Sequence, residues 1–265
     1  MKDALRLWIL GHCPQIFAMR LAAKESMGRI SFERTSFLTP DEARNLDQKF
    51  GNKVLAGPFK GMVYTEEPIC SEKWPKLIGS YEDELTPLLE KLVAKRFKLI
   101  IDVGCAEGFY AVGFAYSCPG TRVIAVDPLE EAGKRLERLG RANGVADRIK
   151  FCRILSPGGL DRMVEDSTLI VMDCEGAELG LLNPASQRNL TKAEVIVEVH
   201  DFVRPGLTEE LARRFSPTHE CQVIQQERRD PKAYPCLASV DPALQSKLLD
   251  EHRPGRLRWL HMAPR

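Results

Sequence analysis

An open α/β sheet, parallel along most of its width, is the fold class this sequence predicts, and three observations predict it. Short apolar runs at 99–103, 122–126, 149–154, 169–172 and 195–199 recur with room for a helix between them, which is the spacing of βαβ units. The first run ends in a glycine turn, Gly104 to Gly108, that feeds the apolar helix-like stretch Ala111, Val112, Gly113, Phe114. Acidic residues close or follow the runs: Asp102, Asp127, Asp173 and Asp201. In such a sheet they gather at the carboxyl edge, where ligands bind.

The totals bound what the chain can be. At 265 residues it has ample length for a large core. With 38 basic and 37 acidic residues, formal net charge +1, it offers no global attraction to nucleic-acid phosphates. Its 8 cysteines are scattered, with no C-x-x-C pair, so they read as small hydrophobes of a reduced, cytoplasmic protein rather than zinc or disulfide sites. The apolar amino-terminal run Leu5, Leu7, Trp8, Ile9, Leu10 is too short for a signal-peptide core and stops at Gly11. Neither secretion nor a membrane span is expected.

Taken in order, residues 1–28 mix apolar and basic positions and predict amphipathic helices that cap a site or form a homodimer contact. Thr39-Pro40-Asp41-Glu42 reads as a capping box with proline at the first helical position, opening a helix to Phe50 that Gly51 ends. The glycine and proline pattern of 54–64 predicts a short hairpin or two edge strands, whose Phe59 and Tyr64 either line a pocket or pack against the sheet. Tyr81 and Glu82 precede a helix through Leu88, Leu89, Leu92 and Val93 that leads into the first core strand. After Asp127-Pro128, Leu129, Ala132, Leu136 and Leu139 form one helical stripe, with the charged residues on other faces, and Asn143-Gly144 ends it. Ser156-Pro157-Gly158-Gly159 reads as a loop beside the ligand edge; Leu207, Leu211 and Phe215 mark another helix; Val223-Ile224 and 257–262 complete a carboxyl-terminal strand pair. We divide the chain into an amino-terminal helical and hairpin cap, residues 1–80, for substrate or dimer contacts, and a catalytic domain, residues 81–265.

The glycine spacing selects the ligand. A dinucleotide fingerprint needs G-x-G-x-x-G, and Ala106 stands where its second glycine belongs, so NAD fits poorly. Asp127, at the end of the second strand, suits a ribose diol, since a carboxylate can accept two hydrogen bonds; capping the next helix is its other use. D-x-G-x-x-x-G resembles motif I of class I S-adenosylmethionine (SAM) methyltransferases. IIDVGCAEGFY (100–110) and VMDCEGAELGLL (171–182), followed by VIVEVHDF (195–202), further resemble the FkbM-type family of these enzymes. The resemblance covers residues 98 to 203, and RWLHMAPR looks like the family's last strand.

The resemblance implies a Rossmann-like class I methyltransferase sheet, mostly parallel with its last strand antiparallel. It implies SAM as cofactor, held by Asp102, Gly104, Cys105, Glu107, Gly108, Asp127 and Asp173, and methyl transfer to a hydroxyl of a sugar or other small metabolite. The chain has CAEG where the family more often shows an asparagine-containing turn. Methyl transfer to oxygen needs alignment with the S–CH₃ bond and removal of a proton. His200 is the expected base, oriented by Glu198 or Asp201, with Asp173 beside the methyl group; a buried hydrogen-bonded role for His200 is the alternative. Glu175 is expected to accept amides at the helix start after Gly176. We assign no metal ligand, although Asp173, Glu198 and Asp201 offer a cation three carboxylates. Rival readings are a nucleic-acid methyltransferase on the same fold, whose amino-directed members usually carry N/D-P-P-Y/F where this chain has Asp173-Cys174-Glu175-Gly176, a protein methyltransferase, and a SAM-binding module without catalysis.

Overall fold

The computed structural model describes residues 38–69, 71–253 and 257–265; the helices expected within residues 1–28 lie outside them. Two compact units are present, one ending at Lys49 and one spanning Phe50–Arg265. The helix α1 (Pro40–Phe50), all but its last residue in the first unit, begins with the expected capping box: Thr39 Oγ1 accepts from Glu42 N at 3.2 Å, and Glu42 Oε2 accepts from Thr39 N at 2.6 Å.

The second unit is built on a seven-stranded sheet in the order β3-β2-β1-β4-β5-β7-β6. Its strands are β1 (Leu99–Val103), β2 (Arg122–Val126), β3 (Ile149–Cys152), β4 (Thr168–Met172), β5 (Glu194–Val199), β6 (His219–Gln225) and β7 (Arg258–Pro264). The pairs among β1 to β5 are parallel, while β7 runs antiparallel between β5 and β6. The expected fold class is therefore the one observed. β1, β4 and β5 are buried at every position, as strands covered on both faces must be. The order reverses between β1 and β4, and this switch point opens the crevice at the carboxyl edge.

The other helices are α2 (Lys73–Ile78), α3 (Thr86–Lys95), α4 (Phe109–Ser117), α5 (Glu130–Ala142), α6 (Pro157–Met163), α7 (Glu178–Leu181), α8 (Leu207–Phe215) and α9 (Pro242–Leu248). In α5 the stripe of Ala132, Leu136 and Leu139 is buried as expected, but Leu129 sits outside the helix at its N-cap, 39% exposed. At 156–159 the expected loop is a helix start, because Ser156 Oγ caps Gly159 N at 3.1 Å and Pro157 takes the first position. No described helix is long and apolar enough to cross a membrane.

Residues 50–80 share the core of the sheet. The expected hairpin closes through Val54 N to Met62 O at 2.9 Å, with one antiparallel bridge, Lys53 to Val63. Phe59 and Tyr64 face this core: Phe59 packs edge-on to Phe109 and Phe114, at ring-centroid distances of 5.5 and 5.3 Å. A Cβ at position 113 would strike the Phe59 ring, so the glycine inside α4 is the seat that lets the hairpin dock.

Candidate functional site

The site begins where β1 ends. Gly104 takes φ +88° and Gly108 φ +101°, both left-handed, so the turn has the shape the glycines suggested. The missing Cβ atoms at both positions serve the packing of the chain itself. A Cβ at 104 would overlap the Asp173 carbonyl oxygen and one at 108 the Leu136 side chain; the glycines admit neighbouring chain, fixing β4 and α5 against the turn. Gly104 N and Cys105 N both donate to Val126 O, at 2.7 and 3.1 Å, and Asp173 N donates to Val103 O at 2.9 Å, so the three strand ends are laced together. Cys105 is buried, and desolvation raises its thiol well above the ordinary range, leaving it an inert wall.

Two carboxyls flank the turn. Asp127 Oδ2 accepts from Ala106 N at 3.2 Å and its Oδ1 from Leu129 N at 2.8 Å, tying the β1 turn to the start of the α5 segment. Asp102 is 3% exposed, its Oδ2 meets no donor, and burial pushes its pKa up to about 8. Gly108, at the N-cap of α4, has no side chain to cap the helix, and the Ala111 amide of the first turn is bonded to Asp102. The corner therefore combines the first amides of a helix, which suit a ligand carboxylate, with one buried Asp102 oxygen that suits a ligand N–H. These features fit the two ends of the amino-acid part of SAM, and Asp127 stands at the end of β2, where a ribose would lie.

Glu107 departs from the expected set of cofactor residues. It is fully buried, with Oε1 accepting from Tyr64 Oη at 2.8 Å and pairing with Lys76, and Oε2 accepting from Ile69 N at 2.8 Å. Desolvation opposes its ionisation, but the Lys76 ammonium and these hydrogen bonds outweigh it and hold its pKa below the usual carboxylate value. Glu107 is thus a latch between the turn and residues 64–76, with its oxygens already committed.

The β4 and β5 ends form the other half. His200 is 3% exposed, its Nδ1 lies 2.7 Å from Oε1 of the fully buried Glu178, and its Nε2 lies 3.5 Å from Asp173 Oδ1 and 3.4 Å from Glu175 Oε2. Burial disfavours the imidazolium, yet the Glu178 hydrogen bond and the Asp173 and Glu175 charges raise the pKa to about 9. In this arrangement His200 keeps its proton at neutral pH, which corrects its expected standing as a ready base. Glu198 is 1% exposed; Arg253 Nη1 donates to its Oε1 at 2.7 Å, while its Oε2 meets no donor. Desolvation first, and then Asp173, raises Glu198 well above the usual carboxylate range, so a proton held on Glu198 links it to Asp173. Asp173 is raised too, by desolvation and by Glu175, with His200 opposing.

Two expectations at this half are reassigned. Asp201 accepts from Thr208 N at 3.1 Å and Thr208 Oγ1 at 2.5 Å, so it caps the start of α8 instead of joining Asp173 and Glu198. The amide after the β4 turn, Gly176 N, donates to Glu178 at 3.0 Å rather than to Glu175, which is 64% exposed beside His200. Sequence reasoning quoted Glu178 within the D-x-E-G-A-E stretch but gave it no role. It also missed Arg253, which joins Glu82, Glu198 and Glu251 and lies 5.3 Å from the Tyr81 ring centre. No local pattern marks that arginine, because its partners are far away in sequence.

Comparisons with known proteins add the following. No family model matches the chain. Over 112 residues, 42% of the chain, it is 32% identical to a probable cobalt-precorrin-6B C(15)-methyltransferase (decarboxylating) of Pyrobaculum calidifontis, and the match spans 57% of that protein. The chain thus spans little more than half the length of the curated relative it matches. Among solved structures, an O-methyltransferase from Bacillus cereus in complex with SAH aligns at TM-score 0.47 and 14% identity, covering 71% of this chain and 80% of that one. A precorrin-8w decarboxylase from Methanobacterium thermoautotrophicum aligns at TM-score 0.47 and 17% identity, covering 67% and 88%. The functional reading below is built on the chain's own residues.

Proposed function

We propose that this protein is a SAM-dependent methyltransferase that methylates a hydroxyl of a small molecule, a sugar or other metabolite. The observation that carries the reading is the pair of acids around the β1 turn. Asp127 is oriented by two backbone N–H groups at the end of β2, and Asp102 is buried at the switch point with one oxygen awaiting a donor. The stretch of the curated relative that matches this chain, in a protein named as a methyltransferase, supports the same class.

SAM, when bound, supplies an activated methyl on a sulfonium. The chain's own residues then divide the work. Asp127 would hold the ribose diol, while Asp102 and the first amides of α4 would hold the amino and carboxylate groups. The turn that would hold the methionine part lies against the end of β4, since residue 104 abuts the Asp173 carbonyl. Asp173, between His200 and Glu198, is the group placed to receive the acceptor proton, and His200, pinned by Glu178, holds a positive charge beside it. Phe202 follows on the same edge, 58% exposed with its ring 5.6 Å from that of His200, and gives the acceptor an apolar wall.

Incubation with SAM and a panel of hydroxyl compounds, read as S-adenosylhomocysteine (SAH) formed, tests the activity. Turnover with a hydroxyl acceptor is the expected result. SAH binding without turnover on any acceptor would favour a non-catalytic module, and turnover on RNA, DNA or protein alone would move the enzyme to the rival class.

A further inference from the structure

We propose that Asp173, Glu175 and His200 form a binding site for one divalent transition-metal cation, Mn²⁺ or Zn²⁺. The sequence led us to assign no metal ligand, and Asp201, the third of the carboxylates weighed there, is taken by a helix cap; a different trio is brought together, with one donor atom from each residue within 4.8 Å of the others. The two edges that meet at His200 Nε2 measure 3.5 and 3.4 Å. Ligands about 2.1 Å from a tetrahedral ion are separated by about 3.4 Å, so the trio has the span of three ligands around one centre.

The contacts do not read as a simple ion pair. A charged imidazole N–H on a carboxylate settles at roughly 2.7 to 2.9 Å, as Nδ1 does on Glu178 at 2.7 Å. Nε2 instead stands off from two carboxylates at nearly equal distance and bonds to neither. Asp173 Oδ1, the oxygen facing it, accepts no hydrogen bond.

A second, independent feature points the same way. Glu198 is 1% exposed and hydrogen-bonds Asp173 from behind, and its Oε2 meets no donor. Metal-bound carboxylates and histidines are typically held from behind by another carboxyl, which sets their orientation. Here Glu198 stands behind Asp173 and the fully buried Glu178 behind His200. Two carboxylates balance a divalent charge, and the imidazole favours Mn²⁺ or Zn²⁺ over the purely oxygen-seeking Mg²⁺ and Ca²⁺. Glu175 lies at the mouth, leaving the remaining coordination positions toward solvent. A bound cation takes the place of the proton on His200 Nε2; its binding does not depend on the methyl-transfer reading.

The test is titration of chelator-treated full-length protein with MnCl₂, followed by electron paramagnetic resonance, and with ZnCl₂, followed by calorimetry. MgCl₂ serves as the comparison. One Mn²⁺ or Zn²⁺ per chain is expected, weakened roughly tenfold or more in Glu175→Gln and unchanged in Asp201→Asn. Glu175 is exposed, so its variant should fold, and a matching melting curve would establish that it has. Absence of saturable binding up to millimolar cation overturns the site, as does wild-type affinity in Glu175→Gln. SAH calorimetry on the same samples separates the two proposals: SAH bound with no cation bound removes only the metal site, and cation bound with no SAH removes only the methyl-donor reading.

Discussion

At the end of β2, Asp127 is met by two backbone N–H groups, whereas at the end of β4 Asp173 meets a histidine, Glu175 and Glu198. The two halves of one sheet edge thus use carboxyls in opposite ways. The β1–β2 half is a nest made by nearby chain: its donors lie on residues 106 and 129, within the turn and the segment that follow the strands. The β4–β5 half gathers Glu178, Glu198, His200 and Arg253 from separate segments and leaves their charges to balance one another. The difference teaches a division of labour. A nest of fixed backbone dipoles suits holding a ligand of constant charge, and a cluster of mutually shifted titratable groups suits moving protons or holding a cation.

The largest expected effect that would break this comparison is on ligand affinity. Asp127→Ala removes the acceptor for the ribose, and at about 1.5 to 3 kcal/mol per bond to a charged acceptor, two bonds correspond to at least a hundredfold loss. Calorimetry with SAH should show that loss, while Glu175→Gln, on the other half, keeps wild-type SAH affinity. Equal losses in both variants would mean the halves are one site.

The latch beneath the nest comes next. Lys76 and Glu107 are 3% and 0% exposed, so Glu107→Gln leaves a buried ammonium without its counter-charge. A destabilisation of about 3 to 5 kcal/mol is expected from urea unfolding, with much of it recovered in Lys76→Met/Glu107→Gln. No change would place the pair outside the folding core.

A smaller effect separates the halves by pH. The unfolded Asp102 loses its proton near its ordinary value of 3.8, but the folded one keeps it to about 8, so its burial destabilises the fold progressively as pH rises between those values. His200, raised from 6.5 to about 9, contributes stability that is complete below 6.5 and lost as pH climbs through 9. Glu107, held below 4.5, acts oppositely and loses its contribution in more acidic solution. Stability measured by denaturant unfolding should therefore peak on the acid side of neutrality and decline toward pH 9. Asp102→Asn should flatten the decline between pH 4 and 8 and leave the step associated with His200. An unaltered profile would place Asp102 in a more solvated setting than its burial indicates.

The smallest is spectroscopic. With cations removed, Glu175→Gln takes one carboxylate from beside His200, and the imidazole titration followed by NMR should move down from about 9, though not to 6.5, because Glu178 and Asp173 remain. A titration unmoved by the substitution would show that the exposed carboxylate is screened by solvent.

Features set by short-range rules were legible in the residues alone. The capping box at Thr39, the stripe of Ala132, Leu136 and Leu139, and the left-handed turn at Gly104 and Gly108 each rest on neighbours a few positions apart. Ser156 was misread because two following glycines suggested a loop, while its side chain and Pro157 were the stronger local signal for a helix start. Glu107 was misread for a different reason: its position in the turn was right, but its partners Tyr64, Ile69 and Lys76 come from the segment that folds back over the sheet.

By itself the sequence determined the parallel sheet, its glycine corner and the strand ends at which acidic groups would stand, because periodicity, capping and turn chemistry act over a few residues. Only the tertiary structure decided which of those acids were already engaged and which faced an unmet partner. Asp201 went to a helix cap and Glu107 to a lysine, while Asp173 kept an oxygen that no donor reaches. A carboxyl's proton affinity is set by the groups packed around it in space, and that assortment exists only once the chain has folded.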